Sequence, residues 1–375
     1  MQSVIHEITQ LRNGNMPAID LTNTNRYRIV ANELDGSKTA YYFSAPIYNT
    51  KSRKLIDMKF YRDGSTFYSI GSNASITFGS TVRMENAEGH CNVTLPLPLG
   101  WVSEKILACR GGQIFNTTNG FACKIPLYCG SSFAMEAEVS QPCLQIRAND
   151  RCFAYMSDRY RPFLCFSCIG TLNEAGRIIA PAKLTYERIT NQKYRITYLP
   201  CSPIGKWLLF EINMYEPKLF QDTTVESKNP RTNNAYGTTG FIGNSAVLGE
   251  QWLYTRPDFS KLQDIGASRV RKAILHIPKW NHSGSTLTAY KLASRFCSFG
   301  STWENRVPAT ASTVHAEPTA LYFDMDITAF LTDSYGRLSP MEGFIVKSQK
   351  KSDCFSAIST GDSSYAPQIL EIRYK

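Results

Sequence analysis

Three consecutive pieces of sequence decide the fold: Lys183-Leu-Thr-Tyr-Glu-Arg-Ile189, then Thr190-Asn-Gln192, then Lys193-Tyr-Arg-Ile-Thr-Tyr-Leu199. In the last piece Tyr194, Ile196 and Tyr198 point one way and Lys193, Arg195 and Thr197 the other, the period of two that a half-buried strand requires. The middle piece is turn chemistry, so the three together predict a β-hairpin with one wet face. The next run, Lys206-Trp-Leu-Leu-Phe-Glu-Ile-Asn-Met-Tyr215, is apolar except at Lys206, Glu211 and Asn213. Such a run fits a central strand covered on both faces, and Glu216-Pro217 ends it.

Working outward, short β-runs are expected at 39 to 48, 55 to 61, 67 to 70, 75 to 84 and 91 to 95, punctuated by Asp63-Gly64 and Glu88-Gly89. The first 25 residues read as an arm. Val4, Ile8 and Leu11 share one face of a short helix, which Asn13-Gly14-Asn15 stops. After Pro217 a turn-rich stretch runs from Lys228 to Gly237 before new strands begin, which places a domain boundary at Pro217. The expected fold class is all-β, two β-sandwich-like domains in series: an arm over 1–25, a β-rich domain or two small β-subdomains over 26–217, and a second domain over 218–375.

Composition supports this class and removes several functions. A hydrophobic fraction of 43% excludes disorder, and 20 Tyr with 20 Phe lean toward strand. The net charge of +10 is spread: 23 Lys/Arg against 17 Asp/Glu up to Pro217, and 18 against 14 beyond it. Nucleic-acid modules gather their cations, whereas the densest run here is Lys350-Lys351 with Lys347, so no dedicated nucleic-acid site is expected. The apolar runs, Pro162 to Ile169 and Trp207 to Phe210, fall far short of the ~20 residues of a membrane helix. The amino terminus has no signal-peptide pattern, so synthesis in the cytoplasm is expected, with the virion or cell surface as final location. Eleven cysteines without such a signal read as free thiols, and Cys165-Phe-Ser-Cys168 lacks the second pair of a zinc ribbon. The four Asn-x-Ser/Thr sites, at Asn73, Asn92, Asn116 and Asn281, read as chance matches for the same reason.

The carboxy-terminal part carries an ordered set of pieces. Gln221-Asp-Thr-Thr-Val225 is followed by Asn229-Pro230, Asn234-Ala-Tyr-Gly237, Gln251-Trp-Leu-Tyr254 and Asp258-Phe-Ser-Lys-Leu262. Then come Ala273-Ile-Leu-His-Ile277, Leu287-Thr-Ala-Tyr290, Ser301-Thr-Trp-Glu-Asn305, Phe323-Asp-Met-Asp-Ile-Thr328, Glu342-Gly-Phe-Ile-Val-Lys-Ser348 and Ala366-Pro-Gln-Ile-Leu-Glu-Ile-Arg-Tyr374. In number and order, residues 219–375 resemble the DNRLRE family, the disaggregatase-related repeat domain grouped with carbohydrate-binding module family 96. The resemblance implies an antiparallel jelly roll and a non-catalytic module of bacterial surface or carbohydrate-associated proteins.

Candidate site residues follow from the residues themselves. Trp280, in Pro278-Lys-Trp-Asn-His-Ser-Gly284, sits at an expected strand-to-strand tip with Asn281 and His282 beside it, the chemistry of a ring that stacks on sugar. Asp324 and Asp326 share one strand face, a pair suited to binding structural calcium or to acting as acid and base, although capping of the turn at Ile327-Thr328 is the plainer role. No cofactor is expected beyond that calcium. Hydrolase, nucleotide-binding and metalloprotease signatures are absent, and the five His are scattered, so no enzyme activity is expected. The expectation is a non-catalytic, surface-presenting protein, a carbohydrate-binding or adhesion module of a bacterial or phage structure whose partner is a polysaccharide or cell-surface glycan. The alternative is a structural subunit of a cytosolically assembled particle or filament, such as a phage tail, fibre or decoration protein, whose partners are neighbouring subunits of a homo-oligomer.

Overall fold

The computed structural model describes residues 4–375 apart from 17, 50, 51, 72, 73, 96, 97, 129, 130, 141–144, 158–160, 217, 263, 264, 267, 283 and 350–353. Pro217, the expected boundary, and the Lys350-Lys351 run therefore lie outside the described residues. The chain is all-β and its strands pair antiparallel. It divides into two compact units, one built from residues 48–217 with 236–238, the other from 4–47, 218–235 and 239–375.

The first unit contains an eight-stranded and a nine-stranded sheet. In the former, the predicted hairpin is present as strands Ala182–Arg188 and Lys193–Pro200, with Lys183 opposite Leu199 and Arg188 opposite Tyr194. The Thr190 hydroxyl accepts hydrogen bonds from the Gln192 and Lys193 N–H groups and shapes the turn. Tyr194, Ile196 and Tyr198 are buried, as alternation requires. In the latter, Trp207–Met214 lies between Gly120–Pro126 and Pro162–Leu172, a central strand as expected. The inward faces meet in one core, where Tyr198 stacks on Phe210 of the other sheet with ring centroids 4.3 Å apart. Glu211, buried in the central strand, accepts a 2.6 Å hydrogen bond from Asn213.

The second unit holds thirteen strands in one continuous ladder. The Ala309–Pro318 strand turns the corner of it, pairing with Leu287–Leu292 through its first part and with Tyr322–Asp326 through its last residues. The two halves of the ladder share a core that joins Ala40, Leu275 and Leu370 to Leu253, Val346 and Ile358, a sandwich-like arrangement.

The described residues of the expected arm, 4–16 and 18–25, do not form one. Helix α1 (Val4–Leu11) exists and stops where Asn13 and Gly14 adopt positive φ, but Val4 and Ile8 are buried within the second unit. Arg12 donates to both Glu33 carboxylate oxygens at 2.7 and 3.0 Å and to the Tyr41 hydroxyl at 3.1 Å. Strands Ala18–Asp20, Arg28–Asn32 and Lys38–Phe43 then extend the second unit's ladder, Lys38–Phe43 pairing with Ile369–Tyr374 at the far end of the chain. Ala40 and Tyr42 face the core with Leu370 and Ile372. From Val4 the chain thus enters the second unit, builds the first, and returns, so a single cut near Pro217 does not separate the units. Only the long-range pairing of the two ends decides this, and local periodicity carries no record of it.

Candidate functional site

Trp280, Asn281 and His282 follow the Val270–Pro278 strand. The Trp280 and Asn281 backbone N–H groups both donate to the Ala357 carbonyl, at 2.8 and 3.2 Å. The Trp280 indole stacks on Tyr365 with centroids 5.7 Å apart and planes within 11°, and its buried Nε1 has no hydrogen-bond partner among the described residues. His282 packs edge-on against Phe323 at 5.1 Å, its Nδ1 3.4 Å from the Ser356 hydroxyl. The structure therefore places this trio in a packed corner, one indole face covered by Tyr365.

Asp324 and Asp326 lie on the Tyr322–Asp326 strand and are put to different uses. Asp326 accepts a 3.1 Å hydrogen bond from the Thr328 N–H and another from its hydroxyl, capping helix α2 (Thr328–Leu331). Asp324 lies 2.8 Å from Nδ1 of buried His276, whose Nε2 faces Glu371 at 3.5 Å without hydrogen-bond alignment. Burial opposes a charge on His276, yet the two carboxylates outweigh it and raise its pKa. Among the described residues no group of three or more His, Cys, Asp or Glu is placed to hold a metal ion.

Sequence reasoning does not assemble a third constellation, since Trp303 in Ser301-Thr-Trp-Glu-Asn305 reads there as a packing residue and not as a ligand platform. On the Gly249–Pro257 strand, half-buried Trp252 lies 4.6 Å from half-buried Trp303, which a loop brings over the sheet. Arg306 sits 4.2 Å above Trp303 and 5.1 Å from Trp252. Lys347 sits 3.8 Å above Trp252 and 5.3 Å from Tyr290. The Trp252 indole N–H donates to Glu250 at 2.7 Å. Burial lowers the Lys347 pKa, with Glu250 opposing and Arg306 assisting. Beneath this ledge Val225, Tyr254, Leu292, Phe296 and Ile345 form a separate small core. The rings are thus held on a rigid base, with long cationic side chains over their faces. Trp252 lies in Glu250-Gln-Trp-Leu-Tyr254, which has no polar–apolar alternation to mark an outward ring, and its approach to Trp303 and Arg306 depends on a loop whose path has no local signature.

No protein-family model matches the chain, and no curated protein matches it.

Proposed function

We propose that the protein is a non-catalytic glycan-binding protein whose second unit works, through residues 219–375, as a surface-presented binding module of the DNRLRE type. The observation that supports this reading is the ledge of Trp252 and Trp303 on a rigid sheet, rimmed by Tyr290, Arg306, Lys347 and Glu250. Sugar rings present C–H faces that stack on indoles, and the surrounding charged groups hydrogen-bond their hydroxyls. Arg306 and Lys347 would swing aside for the ring, at a cost of about 0.5–1 kcal/mol for the contact of exposed Arg306 and more, toward about 2 kcal/mol, for that of half-buried Lys347. A polysaccharide array probed with the wild type and with Trp303→Ala tests it. Binding by the wild type that drops about tenfold or more in the variant is expected; a wild type that binds no polysaccharide defeats the proposal.

The second reading, a structural subunit of an assembly, is favoured by one feature of the first unit. Strand Leu99–Ser103 lies at the end of the nine-stranded sheet, paired among the described residues only with Ile106–Cys109, and exposes Val102 (54%) and Trp101 (42%), the latter stacked on Phe67. An apolar edge of this kind is a ready template for another chain. A monomeric mass in solution at micromolar concentration would remove that reading.

A further inference from the structure

The first unit contains a cleft of about 760 Å³, inside the size range of small-molecule sites. Its floor is apolar and buried, from Leu95, Ile125, Leu127 and Met135. Its rim is polar: Arg110, Tyr128, Ser131, Ser132, Glu136 and Arg195. Arg195 is already matched, donating to Glu136 at 3.0 Å and lying 3.5 Å from Glu187, and Glu136 is bridged by Lys193 as well. Arg110 has no carboxylate partner among the described residues, so the rim carries one uncompensated guanidinium. The side-chain hydroxyls of Tyr128, Ser131 and Ser132 likewise make no hydrogen bond among the described residues, and Tyr128 is 70% exposed.

The backbone at Arg110 is the second observation. Cys109 pairs with Gly112, leaving Arg110 and Gly111 as a two-residue turn with φ of +39° and +80°. Turns with two positive φ values ordinarily carry Asn-Gly or Gly-Gly, because a side chain with a Cβ is strained there. An arginine in the first position costs stability that glycine or asparagine would not. Strain of this kind, at the mouth of a cleft and on an unpaired cation, points to a side chain kept for what it binds.

We propose that this cleft binds the acidic end-sugar of a glycan, a hydroxylated ring bearing one carboxylate. The carboxylate takes the Arg110 guanidinium in a charge-assisted pair, ring hydroxyls take Tyr128, Ser131 and Ser132, and the ring's apolar face lies toward the floor. One uncompensated cation selects one anion, and the hydroxyl-rich rim selects a sugar over an apolar carboxylate. The site lies in the other unit from the tryptophan ledge and stands or falls separately from it.

Calorimetric titration of the full chain tests the proposal, using D-glucuronate, D-galacturonate and N-acetylneuraminate against D-glucose and hexanoate. At least one acidic sugar is expected to bind tenfold or more tightly than both controls. Arg110→Gly is expected to lose that preference while its melting temperature does not fall, since glycine relieves the turn. Trp303→Ala is expected to leave it unchanged. Absence of binding by all three acidic sugars, hexanoate binding as tightly as they do, or a preference that survives Arg110→Gly overturns the assignment. Loss of binding in Trp303→Ala also overturns it, by moving the acidic sugar to the ledge.

Discussion

Buried His276 meets Asp324 across neighbouring strands, Nδ1 to Oδ1 2.8 Å, with Glu371 on the opposite strand facing the other ring nitrogen. The edge of the Tyr322 ring lies beside the imidazole, and the Tyr322 hydroxyl donates to Glu7 of helix α1. The buried His276 ring therefore sits between two carboxylates that favour its charged form, in the half of the ladder to which α1 is tied.

The pH dependence follows from the raised His276 pKa. A histidine whose folded pKa exceeds its unfolded value of about 6.5 adds stability that is complete below that value and is lost as pH rises through the folded pKa. Melting temperatures from pH 5 to pH 9 should fall more steeply for the wild type than for His276→Gln. Parallel curves would show that the pair contributes nothing.

Asp222 has the same sign from a different cause. Burial, and next the neighbouring Asp362, push its carboxyl well above the ordinary carboxylate range, and the Gly361 N–H donates to it. The folded state therefore holds a proton that the unfolded chain releases above about pH 4, and stability declines as pH climbs from there toward the folded value. Asp222→Asn keeps an acceptor for Gly361 without that proton. It should melt higher than the wild type at pH 8 and show a smaller difference at pH 4.

Ile8 is fully buried on helix α1, so Ile8→Ala should cost about 2–4 kcal/mol in chemical denaturation. Removal of residues 1–16 should likewise destabilise the protein. A dispensable arm would leave the transition where it was.

Burial also sorts the thiols. It pushes Cys109 up to about 11 and Cys91, Cys123 and Cys168 higher still, whereas Cys297 is exposed. The nine described cysteines are all free, and Cys129 and Cys143 lie outside the described residues. Native alkylation at pH 8 followed by peptide mass mapping should label Cys297 well before those four.

The local β-pattern was readable from residues alone. The alternation of Tyr194, Ile196 and Tyr198, the apolar run through Trp207–Met214, and the helix stop at Asn13-Gly14 each depend on neighbours within a few positions, and each stands in the structure. The same local rules say that Asp326 can cap Thr328. They say nothing about Asp324 meeting His276, 48 positions away.

What only the tertiary structure decided is everything that rests on closing long loops. Lys38–Phe43 pairs with Ile369–Tyr374 because the apolar faces of both strands complete one core, and this carries residues 4–47 into the second unit and away from the strands that follow them. The Trp252–Trp303 ledge and the cleft at Arg110 arise in the same way, from side chains distant in sequence brought together by strand order. A run of residues determines which face of its own strand is apolar, through the two-residue period of the backbone. Which other strand covers that face is settled by the free energy of burying both together, a sum over the whole chain.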